Sequence, residues 1–252
     1  TLPVMLSGMA SSSIGWQELA AIPAHTAKPV NPDLGPVSTG VGVLGMPGMT
    51  AYFGLLEVLK PRAGDTLVVS AASGAVGAVV GQIGKINGCN VIGVAGSDEK
   101  CEYTVNELGF NSAINYKTQD VSAELARLAP NGVDCYFDNV GGPVTDAVFD
   151  NLALKARIAI CGQISQYNAA TPAQGPRNLS VLTRNRATVE GFLVYDFELQ
   201  HEIARARIAN WIKDGQIKYK EDVVDGFENA PEAFIGLLNG KNFGKLLIKV
   251  SE

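Results

Sequence analysis

The sequence has almost no histidine. Only His25 and His201 occur among 252 residues, which excludes a His-rich metal site. Neither has neighbours that would orient it as a general base. Cysteine is nearly as sparse. Cys89, Cys101, Cys135 and Cys161 are scattered, with no C-x-x-C and no Cys/His cluster. That pattern implies buried thiols in a reducing, cytoplasmic compartment rather than a disulfide framework or a zinc centre. No apolar run approaches the roughly 18 residues of a membrane span. No secretory signal pattern opens the chain, and a first residue Thr1 rather than Met implies a processed or cut N-terminus. There is no basic run, and the net charge is −5, so neither nucleic acid nor a membrane surface is an expected partner.

What is present is an ordinary globular composition, 46% hydrophobic and 18% charged, in a chain long enough for a sizeable core. Residues 1–45 read as short strands and loops, with a strand at 16–20 and a proline-rich connection after it. A turn at 45–50 opens a helix over 50–59. Strands then alternate with helices. The strands are expected at 66–71, 90–95, 112–115, 133–138 and 157–161, and the helices at 74–87, 98–108, 121–128 and 143–152. This alternation implies an α/β fold with a parallel sheet covered on both faces. Beyond an Ala/Pro/Gln-rich loop come a helix near 179–184, a strand near 188–194 and a helix near 199–213. A strand at 219–224, a helix at 230–239 and a strand at 245–250 finish the chain.

The stretch SAASGAVGAVVGQIGKI, residues 70–86, carries the most chemistry. A β-branched run leads into it and an amphipathic helix leaves it. Gly74 and Gly77 keep the backbone bare, so phosphate oxygens can approach helix N-terminal amides. Ala72 stands where the first glycine of G-x-G-x-x-G would be. A glycine-rich turn also forms where a helix merely packs close to a sheet. The second strand ends at Gly96 and Ser97. A site for NAD wants an acid there; room, a hydroxyl and Lys100 one turn on suit a 2′-phosphate instead. Asp98 and Glu99 read as favourable first-turn charge of a helix.

Two later strand ends face the same crevice. One carries Asn139, which can donate and accept toward a ribose or carboxamide, or simply form a turn. The other runs from Cys161 through Gly162, Ile164 and Ser165 to Tyr167. The Tyr167 hydroxyl can donate to a carbonyl oxygen that becomes an oxyanion, or it can anchor its loop.

Taken together, GMPGMTAYFGLLEV, AASGAVGAVVGQIGKINGCNVIGVAGSDEK, Asn115-Tyr116-Lys117, DCYFDNVGG, RIAICGQISQYN and GFENAPEAFIGLLNGKNFGK resemble the zinc-independent medium-chain dehydrogenase/reductases. Within them the chain is similar to the prostaglandin reductase, leukotriene hydroxydehydrogenase and alkenal double-bond reductase group. The resemblance implies a Rossmann-type doubly wound sheet at 46–218, with an incomplete GroES-like β domain at 1–45 and 219–252. It implies NADPH as cofactor. Gly74, Ala75, Val76 and Gly77 would hold the pyrophosphate, and Lys100 and Tyr116, beside Ser97, the adenosine phosphate. Thr50, Asn139, Cys161, Gly162, Ile164, Ser165, Phe192, Leu193, Val194 and Asn242 would complete the cofactor site. Tyr167 would line that site and face the substrate carbonyl as the catalytic residue.

The implied reaction is reduction of the C=C bond of an enone or alkenal, of 15-oxoprostaglandin or alkenal type, by hydride transfer to the β-carbon. No metal is expected, because a conjugated carbonyl already provides an electron sink. A quinone reductase of the same superfamily and a truncated, inactive NADPH-binding protein are the alternatives. A homodimer is expected from the family's habit.

Overall fold

The computed structural model describes residues 8–10, 15–18, 21–23 and 27–250. Near the start, β1 (Gly8–Ala10) pairs antiparallel with β2 (Ala27–Pro29). Gly15 to Glu18 carry no strand, contrary to the strand expected at 16–20; Leu19 and Ala20 lie outside the described residues. The first long helix, α1 (Met46–Phe53), opens earlier than residue 50 and continues as a π-helical segment, Gly54–Leu59. Pro47 explains the early start: its missing N–H costs nothing in a helix's first turn.

The centre of the molecule is a six-stranded sheet. Its strands are β3 (Thr66–Ser70), β4 (Asn90–Ala95), β5 (Ser112–Asn115), β6 (Val133–Asp138), β7 (Leu152–Ile160) and β8 (Thr188–Gly191). The spatial order is β5-β4-β3-β6-β7-β8, and every pairing is parallel. Alternate side chains of β3 go to opposite faces. Leu67 and Val69 join a core with helices α1, α2 (Gly77–Ile86) and α7 (His201–Lys213). Val68 joins Ile92, Ile114, Tyr136 and Ile158 in a second core. That second core packs under α4 (Val121–Leu128), α5 (Pro143–Asp150) and α6 (Ser180–Asn185). Burial on both faces is why these strands read as continuous apolar runs.

Between β4 and β5 runs α3 (Asp98–Asn106). Ser97 is its N-cap, accepting the Lys100 N–H at 3.3 Å. The chain ends in a small parallel pair, β9 (Glu221–Asp225) and β10 (Lys245–Lys249), joined through α8 (Ala230–Leu238). A single parallel bridge, Gly74 to Gly244, fastens this pair to the turn after β3. The order of chain reverses between β3 and β6, so the crevice at their C-terminal ends is the switch point where open sheets bind ligands.

Candidate functional site

At that crevice the chain leaves β3 through Ala71, whose φ is +50°, and folds into a tight turn. The Gly74 N–H donates to Ala71 O at 2.9 Å, and the Ala78 N–H to Gly74 O at 3.0 Å. A Cβ on Gly77 would lie 2.4 Å from Ala71 O, so a side chain there would force the turn open. Above the turn lies a cavity of about 1060 Å³. Among the described residues, its lining includes Lys100, Lys117 and Lys245 and no aspartate or glutamate.

Sequence-predicted residues supply much of that lining. Gly74, Ala75, Val76 and Gly77 form its floor, and Lys100 and Tyr116 one end. Asn139, Cys161, Gly162, Ile164, Ser165 and Tyr167 come from the ends of β6 and β7, and Asn242 from the loop after α8. Five expected residues lie outside the lining. The Thr50 hydroxyl is buried and donates to Met46 O on its own helix at 2.8 Å. Ser97 serves as the α3 cap. Phe192 packs edge-on against Phe137, Leu193 is exposed, and Val194 is buried in the core with α1.

At the lysine end, Lys100 Nζ donates to Gly240 O at 2.7 Å, tying α3 to the loop after α8. Burial lowers its pKa, and the like charge of Lys117 lowers it further. Asp98, the nearest acid at this strand end, accepts the Asn115 side-chain amide at 2.7 Å. Its carboxylate thus serves the α3–β5 connection and does not line the cavity.

Behind the β6 end sits Asp138, fully buried. Its Oδ1 accepts from Tyr136 Oη, the Val140 N–H and the Gly141 N–H, each at 2.9 Å. Its Oδ2 accepts from Thr145 Oγ1 at 2.6 Å. Neutral donors therefore hold a carboxylate in place of a cation. Burial and that charge push the Tyr136 hydroxyl well above its usual pKa. Burial first, and Asp138 second, push the Cys161 thiol to about 12. Cys161 is a neutral thiol at physiological pH and no nucleophile.

The β7 loop is bound to the β6 turn. The Ser165 hydroxyl donates to Val140 O at 2.6 Å, and the Ile164 N–H to Asn139 O at 3.3 Å. Tyr167 Oη accepts the Gln163 N–H at 3.2 Å, which leaves the phenolic proton for a second partner. A Cβ on Gly162 would lie 2.7 Å from that oxygen, so glycine is what admits the tyrosine.

Sequence reasoning missed three contributors. Lys117 follows Tyr116 directly and was legible as a second cation at the same strand end. Lys245 and the apolar wall of α8, with Phe234 edge-on to Trp16 at 5.3 Å, had no local signal. Among the described residues, no group of three or more His, Cys, Asp or Glu stands close enough to hold a metal ion.

Comparison with known proteins finds dehydrogenases and reductases. A zinc-binding dehydrogenase family profile matches residues 75–210. The putative NADP-dependent oxidoreductase YfmJ of Bacillus subtilis (strain 168) is 48% identical over 243 residues, covering 95% of this chain and 72% of the relative. The 2-alkenal reductase (NADP(+)-dependent) of Nicotiana tabacum is 47% identical over 239 residues, covering 94% and 69%. The crystal structure of CurA from Vibrio vulnificus in complex with NADPH superposes with a TM-score of 0.82 at 46% identity. It covers 93% of this chain and 68% of that one.

Proposed function

The chain belongs to the zinc-binding dehydrogenase family, in the medium-chain dehydrogenase/reductase superfamily, and from that premise we propose that it is an NADPH-dependent reductase of carbon–carbon double bonds in α,β-unsaturated ketones and aldehydes. The observation that carries this reading is the cavity over the glycine turn at the sheet's switch point, lined among the described residues by three lysines and no carboxylate. The residues fit a phosphorylated dinucleotide. Bare Gly74 and Gly77 admit a pyrophosphate, and Lys100 and Lys117 match a 2′-phosphate. At the other end, Asn139 and the 161–167 loop would flank the nicotinamide.

Bound there, the cofactor supplies a hydride for the substrate β-carbon. The chain's own residues prepare the other half of the reaction. Asn139 is fixed by Ser70, so its side chain meets the cofactor in one orientation. Tyr167 offers its phenolic proton to the carbonyl oxygen, where negative charge develops as the β-carbon is reduced. The neutral Cys161 thiol adds no competing nucleophile to a wall that faces an electrophilic substrate. The apolar wall of exposed Phe234 and half-buried Leu237 and Leu238 suits the alkyl chain of a 15-oxoprostaglandin or a lipid alkenal.

The functional unit in this reading is a homodimer in a reducing cytoplasm. Among the described residues, strand β8 pairs on one side only, with β7, and it is exposed along its length. Leu193, Tyr195, Leu199 and Ile203 are exposed after it. A second copy pairing edge to edge covers both features. The four cysteines are unpaired thiols, as a reducing compartment keeps them.

The test is NADPH oxidation, followed at the nicotinamide absorbance, with 4-hydroxynonenal and with a 15-oxoprostaglandin, against NADH. Turnover that prefers NADPH supports the reading. Cofactor binding without turnover on either substrate removes the enone assignment and leaves a dinucleotide-binding protein.

A further inference from the structure

We propose that Lys245 is the counter-charge of the dinucleotide pyrophosphate, a cofactor-binding residue supplied by the last strand rather than by the six-stranded sheet. This rests on the dinucleotide reading above. The glycine turn itself brings amide donors but no cation: from Ser70 to Ile86 the only basic residue is Lys85, in the last turn of α2. A pyrophosphate brings two negative charges, and burying them beside uncharged amides alone leaves them undercompensated.

The fold delivers a cation to that turn from elsewhere. Gly244 bridges Gly74 in parallel, so Lys245 starts β10 directly against the turn. Only glycine fits the preceding position. Gly244 has φ +77°, and a Cβ there would lie 2.2 Å from Lys220 O. Lys245 lines the main cavity together with Gly74 and Ala75. It also lines a small cavity of about 20 Å³ with Ser73, Gly74 and Glu221.

Glu221 is the ladder partner of Lys245 in β9, and both side chains pass Gly42. Yet among the described residues Lys245 makes no salt bridge. Among the described residues, burial is the one cause that lowers its pKa. A half-buried ammonium without an ion-pair partner is stabilised by an anion that completes it. The pyrophosphate is an anion of the right charge beside the right turn.

A pyrophosphate ligand differs from a 2′-phosphate ligand in what it distinguishes. The experiment measures dissociation constants on the whole chain for NADPH, NADH and 2′-AMP, in wild type, Lys245→Met and Lys245→Arg. Lys245→Met is expected to weaken NADPH and NADH alike, by about tenfold or more. It should leave 2′-AMP unchanged, while Lys245→Arg keeps most of the affinity. If Lys245→Met fails to fold, Lys245→Gln carries the same comparison. Unchanged dinucleotide binding overturns the proposal, and so does an equal loss on 2′-AMP. Should wild type bind neither dinucleotide, the dinucleotide reading itself has failed.

Discussion

Ser70 holds Asn139 by two bonds: the Asn139 N–H donates to Ser70 Oγ at 2.9 Å, and its side-chain amide donates to Ser70 O at 2.8 Å. The first residue ends β3 and the second follows β6, so the pair staples the two strands whose divergence opens the crevice. Ser70 is fully buried, and its hydroxyl also lies 3.3 Å from Asp138 Oδ1. Ser70→Ala removes an acceptor and a donor from a site that water does not reach. The expected cost is about 1–3 kcal/mol of stability, read from urea unfolding, together with weaker NADPH binding. A variant as stable as wild type would mean that Asp138 and Asn139 repack without it.

Much of this arrangement was readable from the chain. Strands β4, β5 and β6 lie where the sequence places them, because two-sided burial demands unbroken apolar runs between turn residues. The A-x-G-x-x-G turn was legible for a similar reason: only glycine tolerates the backbone approach at Gly77. Strand β7 was expected at 157–161 but begins at Leu152. Exposed Leu154 and Lys155 break its apolar run, and Lys155 has φ +62°, where the register with β6 shifts. The Gly74–Gly244 bridge joins residues from distant parts of the chain, and no local pattern marks it. Lys245 and the α8 wall were therefore invisible until the fold was known. Thr50, Phe192, Leu193 and Val194 show the converse. The family resemblance implied them as cofactor residues, yet their side chains lie off the cavity lining.

The Cys161 thiol, held at a pKa of about 12 against an ordinary 9.0, makes stability fall in alkali. The unfolded chain releases this proton from about pH 9, while the folded chain keeps it to about pH 12. The stabilisation is complete below pH 9 and is lost as pH rises through that window, by at most about 1.4 kcal/mol per pH unit. Cys89 and Cys135, raised to about 11 and about 12, act in the same direction. The urea midpoint should therefore drop between pH 8 and pH 10, and drop less in Cys161→Ala. An identical drop in both proteins would show that Cys161 is not the group responsible.

The free edge of β8 gives a prediction about assembly. Val189 lies at the middle of that strand, and all four of its residues are exposed. An aspartate there places like charges near one another when two copies pair edge to edge. Val189→Asp is expected to shift the mass in light scattering from dimer to monomer while the melting curve stays cooperative. A wild-type protein that is already monomeric at micromolar concentration would remove the dimer from the reading.

Lys100 and Lys117 make the cofactor preference testable without turnover. Lys100 is already held by Gly240 O and, as an ammonium, has donors left for a phosphate. Lys100→Ala should weaken NADPH by about tenfold or more and leave NADH nearly unchanged, measured by nicotinamide fluorescence. Lys117→Ala should act in the same sense. An equal loss for both dinucleotides would take Lys100 out of the 2′-phosphate site and make it a latch between α3 and the loop after α8.

Tyr167 separates binding from chemistry. Its oxygen accepts the Gln163 N–H at 3.2 Å, a bond that orders the loop, and in the proposed reaction its proton is the group offered to the substrate. Tyr167→Phe deletes both. If the proton carries the chemistry, turnover on an enone falls by about 10²-fold, as when one oxyanion donor is lost, while NADPH affinity barely moves. If the tyrosine only anchors its loop, the order reverses. NADPH affinity and melting temperature then drop together, because Gly162 and Ile164 beside it line the same cavity, and turnover at saturating cofactor stays near wild type. Steady-state kinetics on the variant at saturating NADPH, beside a direct binding titration, decide between the two.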